Sequence, residues 1–114
     1  MKSPKVMNDR TLGLIAERFR LLADPVRLRI LHALANGEMP VTDLVRTTGT
    51  AQANVSKHLQ MLLRAGLVSR RKEGLHVYYA VADQSVFQIC DVVCGSLATH
   101  LKRELSLLGE RRGK

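Results

Sequence analysis

The apolar residues of this chain change their spacing twice, and that change dictates what the chain can fold into. They recur every three or four positions as far as Gly66, alternate from Leu67 to Val81, and return to helical spacing beyond Asp83. A spacing of three and four marks one buried face of a helix, whereas alternation marks a half-buried strand. The expected fold is therefore mainly α with one small β-hairpin, in the order of four helices, two strands and a fifth helix.

The breaks between segments are equally well marked. Leu12, Ile15, Phe19 and Leu22 give the apolar face of a first helix over 11–23. Asp24 followed by Pro25 supplies a cap and a first helical residue for a second, in which Ile30, Leu31 and Leu34 face inward and which Gly37 ends. Pro40 opens a third helix with Val41, Leu44 and Val45 inward, and the turn around Gly49 leads to a fourth over 51–65, buried through Val55, Leu59 and Leu62. Gly66 stands where a left-handed helix end is expected. Strands over 67–72 and 75–81 flank Glu73 and Gly74. The last helix, capped by Asp83 or Ser85, carries Val86, Ile89, Val93, Leu97, Leu101, Leu105 and Leu108. That stripe is too long and too apolar for so small a domain to cover, so a second subunit is expected to cover it. The organisation anticipated is a flexible arm over 1–10, one domain over 11–109 and a basic tail over 110–114.

Charge narrows the function. The 114 residues carry 18 Lys plus Arg against 10 Asp plus Glu, a formal net charge of +8. Such a balance favours a polyanionic partner. No acidic residue lies between Asp43 and Glu73, while Arg46, Lys57, Arg64, Arg70, Arg71 and Lys72 all do. Two short helices joined by a glycine turn and followed by a basic hairpin form a winged helix-turn-helix. On the fourth helix, Ala53, Lys57, Gln60 and Arg64 fall opposite Val55, with Ser56 on the flank and Gln52 in the first turn. Gln bonds bidentately to an adenine edge, and Lys suits guanine or a phosphate. Arg70, Arg71, Lys72 and His76 would lie along the backbone or minor groove as the wing. The partner expected is double-stranded DNA. With four aromatic residues and no Trp, base-stacking platforms for single strands are not expected. Neither a signal-type apolar stretch nor a membrane span is legible, so a cytoplasmic protein without a membrane partner is expected.

The string TAQANVSKHLQMLLRAGLVSRRKEGLHVYYAV, with LADPVRLRILHAL upstream, resembles the ArsR/SmtB family of dimeric bacterial winged-helix repressors over roughly 16–108. The resemblance implies five helices and a β-wing, a homodimer formed through the first and last helices, and repression over an inverted-repeat operator that an inducer relieves. His58 occupies the family's usual histidine position, on the flank of the buried side of the fourth helix, where a packing role is expected. Where many relatives carry cysteines in the third helix this chain has Pro40 and Thr42, and where zinc-sensing relatives place Asp and His it has Asp83, Ser85, Ser96 and Thr99. Neither metal site is expected. Ala51 and Ala53 replace the family's frequent Ser and Pro, which leaves the start of the fourth helix to Thr50.

What remains for sensing is Cys90 and Cys94, one turn apart and about 40° apart around the last helix. Cβ atoms at that spacing lie about 5 to 6 Å apart, and a disulfide wants about 3.5 to 4.5 Å. A bridging atom fits better: a metalloid such as arsenite, a soft metal ion, or sulfur added by persulfide chemistry. Packing of two small apolar thiols, pairing with a partner's cysteine, and a ligand from His100 across the dimer all stay open. No cofactor is required by this reading. Two alternatives stand beside it: a winged helix used as a protein-interaction module, and a regulator of the same family without an inducer site. An enzyme is not expected, because a thiol oxidoreductase wants Cys-x-x-Cys at a helix N-terminus.

Overall fold

The computed structural model describes residues 7–112, with side chains through residue 109. Five α-helices, a short 3-10 turn and three strands follow one another: α1 (Asp9–Leu22), α2 (Pro25–Ala33), the 3-10 turn (Leu34–Asn36), β1 (Met39–Pro40), α3 (Val41–Thr48), α4 (Gln52–Arg64), β2 (Val68–Glu73), β3 (His76–Val81) and α5 (Ser85–Arg112). The chain forms two compact units that divide after Ala82.

In the first unit the helices start and stop where local chemistry dictates. Asn8 caps α1 by accepting the N–H of Thr11 at 2.8 Å. Asp24 caps α2 by accepting from Val26 and Arg27, with Pro25 in the first helical position. At the end of α3, Gly49 takes φ 68, a left-handed value that a Cβ would disfavour, and its N–H closes on the carbonyl of Val45. The chain can then turn within three residues into α4. The core is built from Ile30, Leu31 and Leu34 of the α2 segment, Leu44 of α3, Val55, Leu59 and Leu62 of α4, and Leu67, Val68 and Tyr79 of the hairpin segment.

The sheet is antiparallel in the order β1-β3-β2. Its third strand went unforeseen in the sequence: Met39 and Pro40 pair with Tyr79 and Tyr78. Two residues are too few for a periodic signal, and a proline is tolerated there because it sits on an edge. The β2–β3 register pairs Glu73 with His76, so Leu75 belongs to the two-residue turn with Gly74 (φ 62) rather than to a strand.

The helix ends also differ from expectation. α1 begins at Asp9, which shortens the expected arm; residues 1–6 of that arm lie outside the described residues. α5 continues to Arg112, so most of the expected tail is helical, and residues 113–114 of it lie outside the described ones. Thr50 does not cap α4: Ala51 flanks the helix without a side-chain hydrogen bond, and the Thr50 hydroxyl instead donates to the Thr48 carbonyl at 3.5 Å.

The second unit is α5 alone. At 28 residues and about 1.5 Å of rise per residue it is roughly 42 Å long. Asp83 Oδ1 accepts both the N–H and the hydroxyl of Ser85 and so fixes its start. Val92, Val93, Leu97, Leu101, Leu105, Leu107 and Leu108 are all exposed along it. Among the described residues no helix is long and apolar enough to cross a membrane.

Candidate nucleic-acid interface

The amphipathic pattern of α4 fixes which side chains face outward. Val55, Leu59 and Leu62 are fully buried, and this leaves Gln52, Ala53, Lys57, Gln60 and Arg64 exposed, with Ser56 half-buried beside them. These side chains recur at three- and four-residue steps, so they form one stripe. The sequence-based set on this helix is thus brought together on a single face.

The hairpin divides the wing residues between two faces. Residues paired across antiparallel strands share a face. Val68, Arg70 and Lys72 lie with Val81, Tyr79 and Val77; Ser69, Arg71 and Glu73 lie with Ala80, Tyr78 and His76. Burial of Val68 and Tyr79 makes the first face the core side. Arg70 and Lys72 prolong that inner face beyond the core, and both are exposed.

The outer face is electrostatically spent on itself. Arg71 donates to Glu38 at 2.6 and 3.2 Å and to Glu73 at 2.9 Å, and its guanidinium lies 4.7 Å from the centre of the Tyr78 ring. The hydrogen bond from Arg71 holds the Glu38 carboxyl below the usual carboxylate range, and the two glutamates raise Arg71 in turn. His76, on the same face, packs its ring 6.3 Å from Tyr78. Of the expected wing residues, Arg71 and His76 thus lie on this outer face, where Arg71 braces the hairpin through Glu38 and Glu73. The brace depends on Glu38, 33 residues away, which no local pattern could reveal.

Arg46 is likewise tied to Asp43. Lys57, Arg64, Arg70 and Lys72 form no ion pair among the described residues. Of the cations on α4 and the wing, these four are therefore uncompensated among the described residues, two on α4 and two on the inner face of the wing.

His58 is 8% exposed and its Nδ1 lies 3.1 Å from the Arg27 guanidinium. The expected packing role thus includes a specific polar partner. Arg27, 9% exposed, was missed in the sequence. Its signal was present: it sits three and four residues before the buried Ile30 and Leu31, on the inward stripe of α2.

On α5, Cys90 is half-buried and Cys94 exposed. Burial pushes the Cys90 thiol up, and Asp91 adds to this. Among the described residues no three of His, Cys, Asp and Glu gather to hold a metal ion. His100 is engaged one turn along its own helix, 2.9 Å from Glu104.

Helix-turn-helix, turn glycine and braced hairpin define a winged helix-turn-helix protein. The bacterial regulatory protein, arsR family, model matches residues 24–70. The HTH-type transcriptional regulator KmtR of Mycobacterium tuberculosis is 36% identical over 75% of this chain, which spans 66% of that regulator's length, just under two thirds. The HTH-type regulator Rv0081 of the same organism is 33% identical over 85% of this chain and 86% of its own. Its crystal structure superposes with a TM-score of 0.76 at 31% identity, covering 86% of this chain and 99% of that one. The solution structure of the homodimeric winged helix-turn-helix domain of Mb0332 from Mycobacterium bovis gives a TM-score of 0.67 at 34% identity, over 85% and 93% of the two chains. The chain belongs to the arsR family of bacterial transcriptional regulators.

Proposed function

We propose that this chain is a homodimeric transcriptional repressor that binds double-stranded DNA at an inverted-repeat operator and is released by a thiol-reactive inducer at Cys90 and Cys94. The observation that carries the DNA-binding part is that Lys57 and Arg64 of α4 and Arg70 and Lys72 of the inner wing face form no ion pair among the described residues, the α4 pair standing within a stripe of small and amide side chains. Gln52, Ser56, Lys57 and Gln60 enter the major groove and read base edges. Ala53 allows close approach, while Arg64, Arg70 and Lys72 engage phosphates. In a dimer, two copies of α4 meet successive major grooves about 34 Å apart.

Two helices supply the dimer surface. α1 exposes Leu12, Leu14 and Phe19, and α5 exposes a stripe from Val93 to Leu108. Apolar faces of that size in water favour a second copy as cover. The Mb0332 domain, a homodimer, supports the same assembly here.

The cysteine pair offers two soft ligands, one turn apart. A metalloid or soft metal ion takes them as thiolates, their protons passing to solvent, and keeps its remaining positions for other ligands; a persulfide donor would instead transfer its outer sulfur to Cys94, the exposed thiol, its own S–S bond breaking and the donor leaving as a thiol. Either event changes the polarity of an apolar helix face and so biases the dimer between two arrangements. The test is a gel shift on the protein's own promoter with arsenite, cadmium and a persulfide donor, repeated with Cys90→Ala and Cys94→Ala. Inducers should release wild type and fail on both variants. Release that survives both substitutions sinks the sensing assignment, and absence of a shift at modest salt sinks DNA binding.

A further inference from the structure

A buried guanidinium with no carboxylate hydrogen-bonded to it among the described residues joins three helices at one point. Arg27 of α2 donates through Nε to the Leu21 carbonyl at 2.5 Å and through Nη2 to the Arg20 carbonyl at 3.3 Å. Its Nη1 reaches His58 Nδ1 at 3.1 Å and Met61 Sδ at 3.6 Å, both on α4. The two carbonyls belong to the last turn of α1, the negative pole of that helix, and this offsets the buried cation. Asp24, at the start of α2, adds its charge from nearby; the N–H of Arg27 foremost holds its carboxyl low.

We infer that Arg27 is a positioning residue that holds the reading helix α4 to the end of α1 through His58, and thereby sets operator recognition without touching DNA. This rests on the DNA-binding reading above. Guanidinium can only donate, so His58 Nδ1 must accept and the ring proton sits on Nε2. A hydrogen bond fixes direction as well as distance, which packed apolar side chains do not. His58 lies between Lys57 and Gln60 in the groove-facing sequence, and Met61 follows Gln60 directly. A small rotation of α4 that breaks the bond therefore carries the base-facing side chains out of register. Because the other arm of Arg27 grips α1, which also exposes Leu12, Leu14 and Phe19, the joint links the candidate subunit surface to the reading helix.

The test compares wild type, Arg27→Met, His58→Leu and His58→Asn, whose amide oxygen stands in for the Nδ1 acceptor. Affinity for the protein's own promoter and for a random duplex is measured by anisotropy, beside thermal melting. His58→Leu should lose about tenfold on the promoter, the scale of one base contact, with random-duplex affinity unchanged. His58→Asn should recover most of that loss, and Arg27→Met combined with His58→Leu should be no worse than either alone. A promoter-to-random ratio that stays constant while melting temperature falls overturns the inference, since the pair would then be structural only. Nitrogen NMR of wild-type His58 decides it without any variant: a proton on Nδ1 rules the joint out. Failure of wild type to distinguish promoter from random duplex would remove the DNA-binding reading itself.

Discussion

Asp24 accepts the N–H groups of Val26 and Arg27 and so closes the first turn of α2. Those two bonds, that from Arg27 foremost, hold its carboxyl below the ordinary value of 3.8. A carboxylate lowered on folding stabilises the folded state at pH above its unfolded value, and the gain is lost as pH falls through the lowered folded value. Wild-type melting temperature should therefore drop as pH falls below 3.8, and Asp24→Asn should melt lower at neutral pH but fall less over that window. Circular-dichroism melts against pH check this, and equal acid slopes would contradict it. The Asp24–Pro25 signal was readable because a cap works on residues two and three positions away. For Arg27, two residues further, the spacing to Ile30 and Leu31 marks an inward position but not its partners, which come from α1 and α4 and meet it only in the folded chain.

The hairpin is where sequence pattern and folded role part company. Its strands, its turn glycine and its basic content were all legible, since alternation and Gly74 are local signals. The unlike character of its two faces was not, because charge composition does not say which cation has already met an anion. Element by element, this yields separate expectations for neighbouring residues. Arg70→Ala and Lys72→Ala should each reduce the slope of log affinity against log salt by about one, as loss of a phosphate contact does. Arg71→Ala should leave that slope almost unaltered, since its charge is already engaged by Glu38 and Glu73. Equal slope changes at all three positions would show that the brace opens on DNA. On α4 the solvent-facing stripe was readable in full, because a helical period carries its own outside face.

At the scale of the whole molecule, α5 poses the largest unsatisfied demand. Leu97 and Leu101 are 56% and 59% exposed and sit midway along the helix. Replacing both with Glu should convert a dimer to a species near 12.7 kDa in sedimentation equilibrium, with operator affinity falling because two half-sites are no longer gripped together. A double variant that stays dimeric would place the subunit contact elsewhere. The five-helix order and the exposed last stripe could be anticipated, whereas the two-residue β1 and the reach of α5 to Arg112 could not, one being too short for any period and the other continuing through residues that resemble a solvated end. A body carrying a formal charge of +8 could cling to a duplex in many poses, most of them useless for sequence selection. By cancelling Arg71 against two glutamates on one side and leaving Arg70 and Lys72 without ion pairs on the other, a wing that contacts DNA as proposed would make wrong-way-round encounters less sticky. On the DNA-binding reading proposed above, sliding along a duplex would then keep the amide-bearing helix turned toward the bases, so that search and readout would share one orientation.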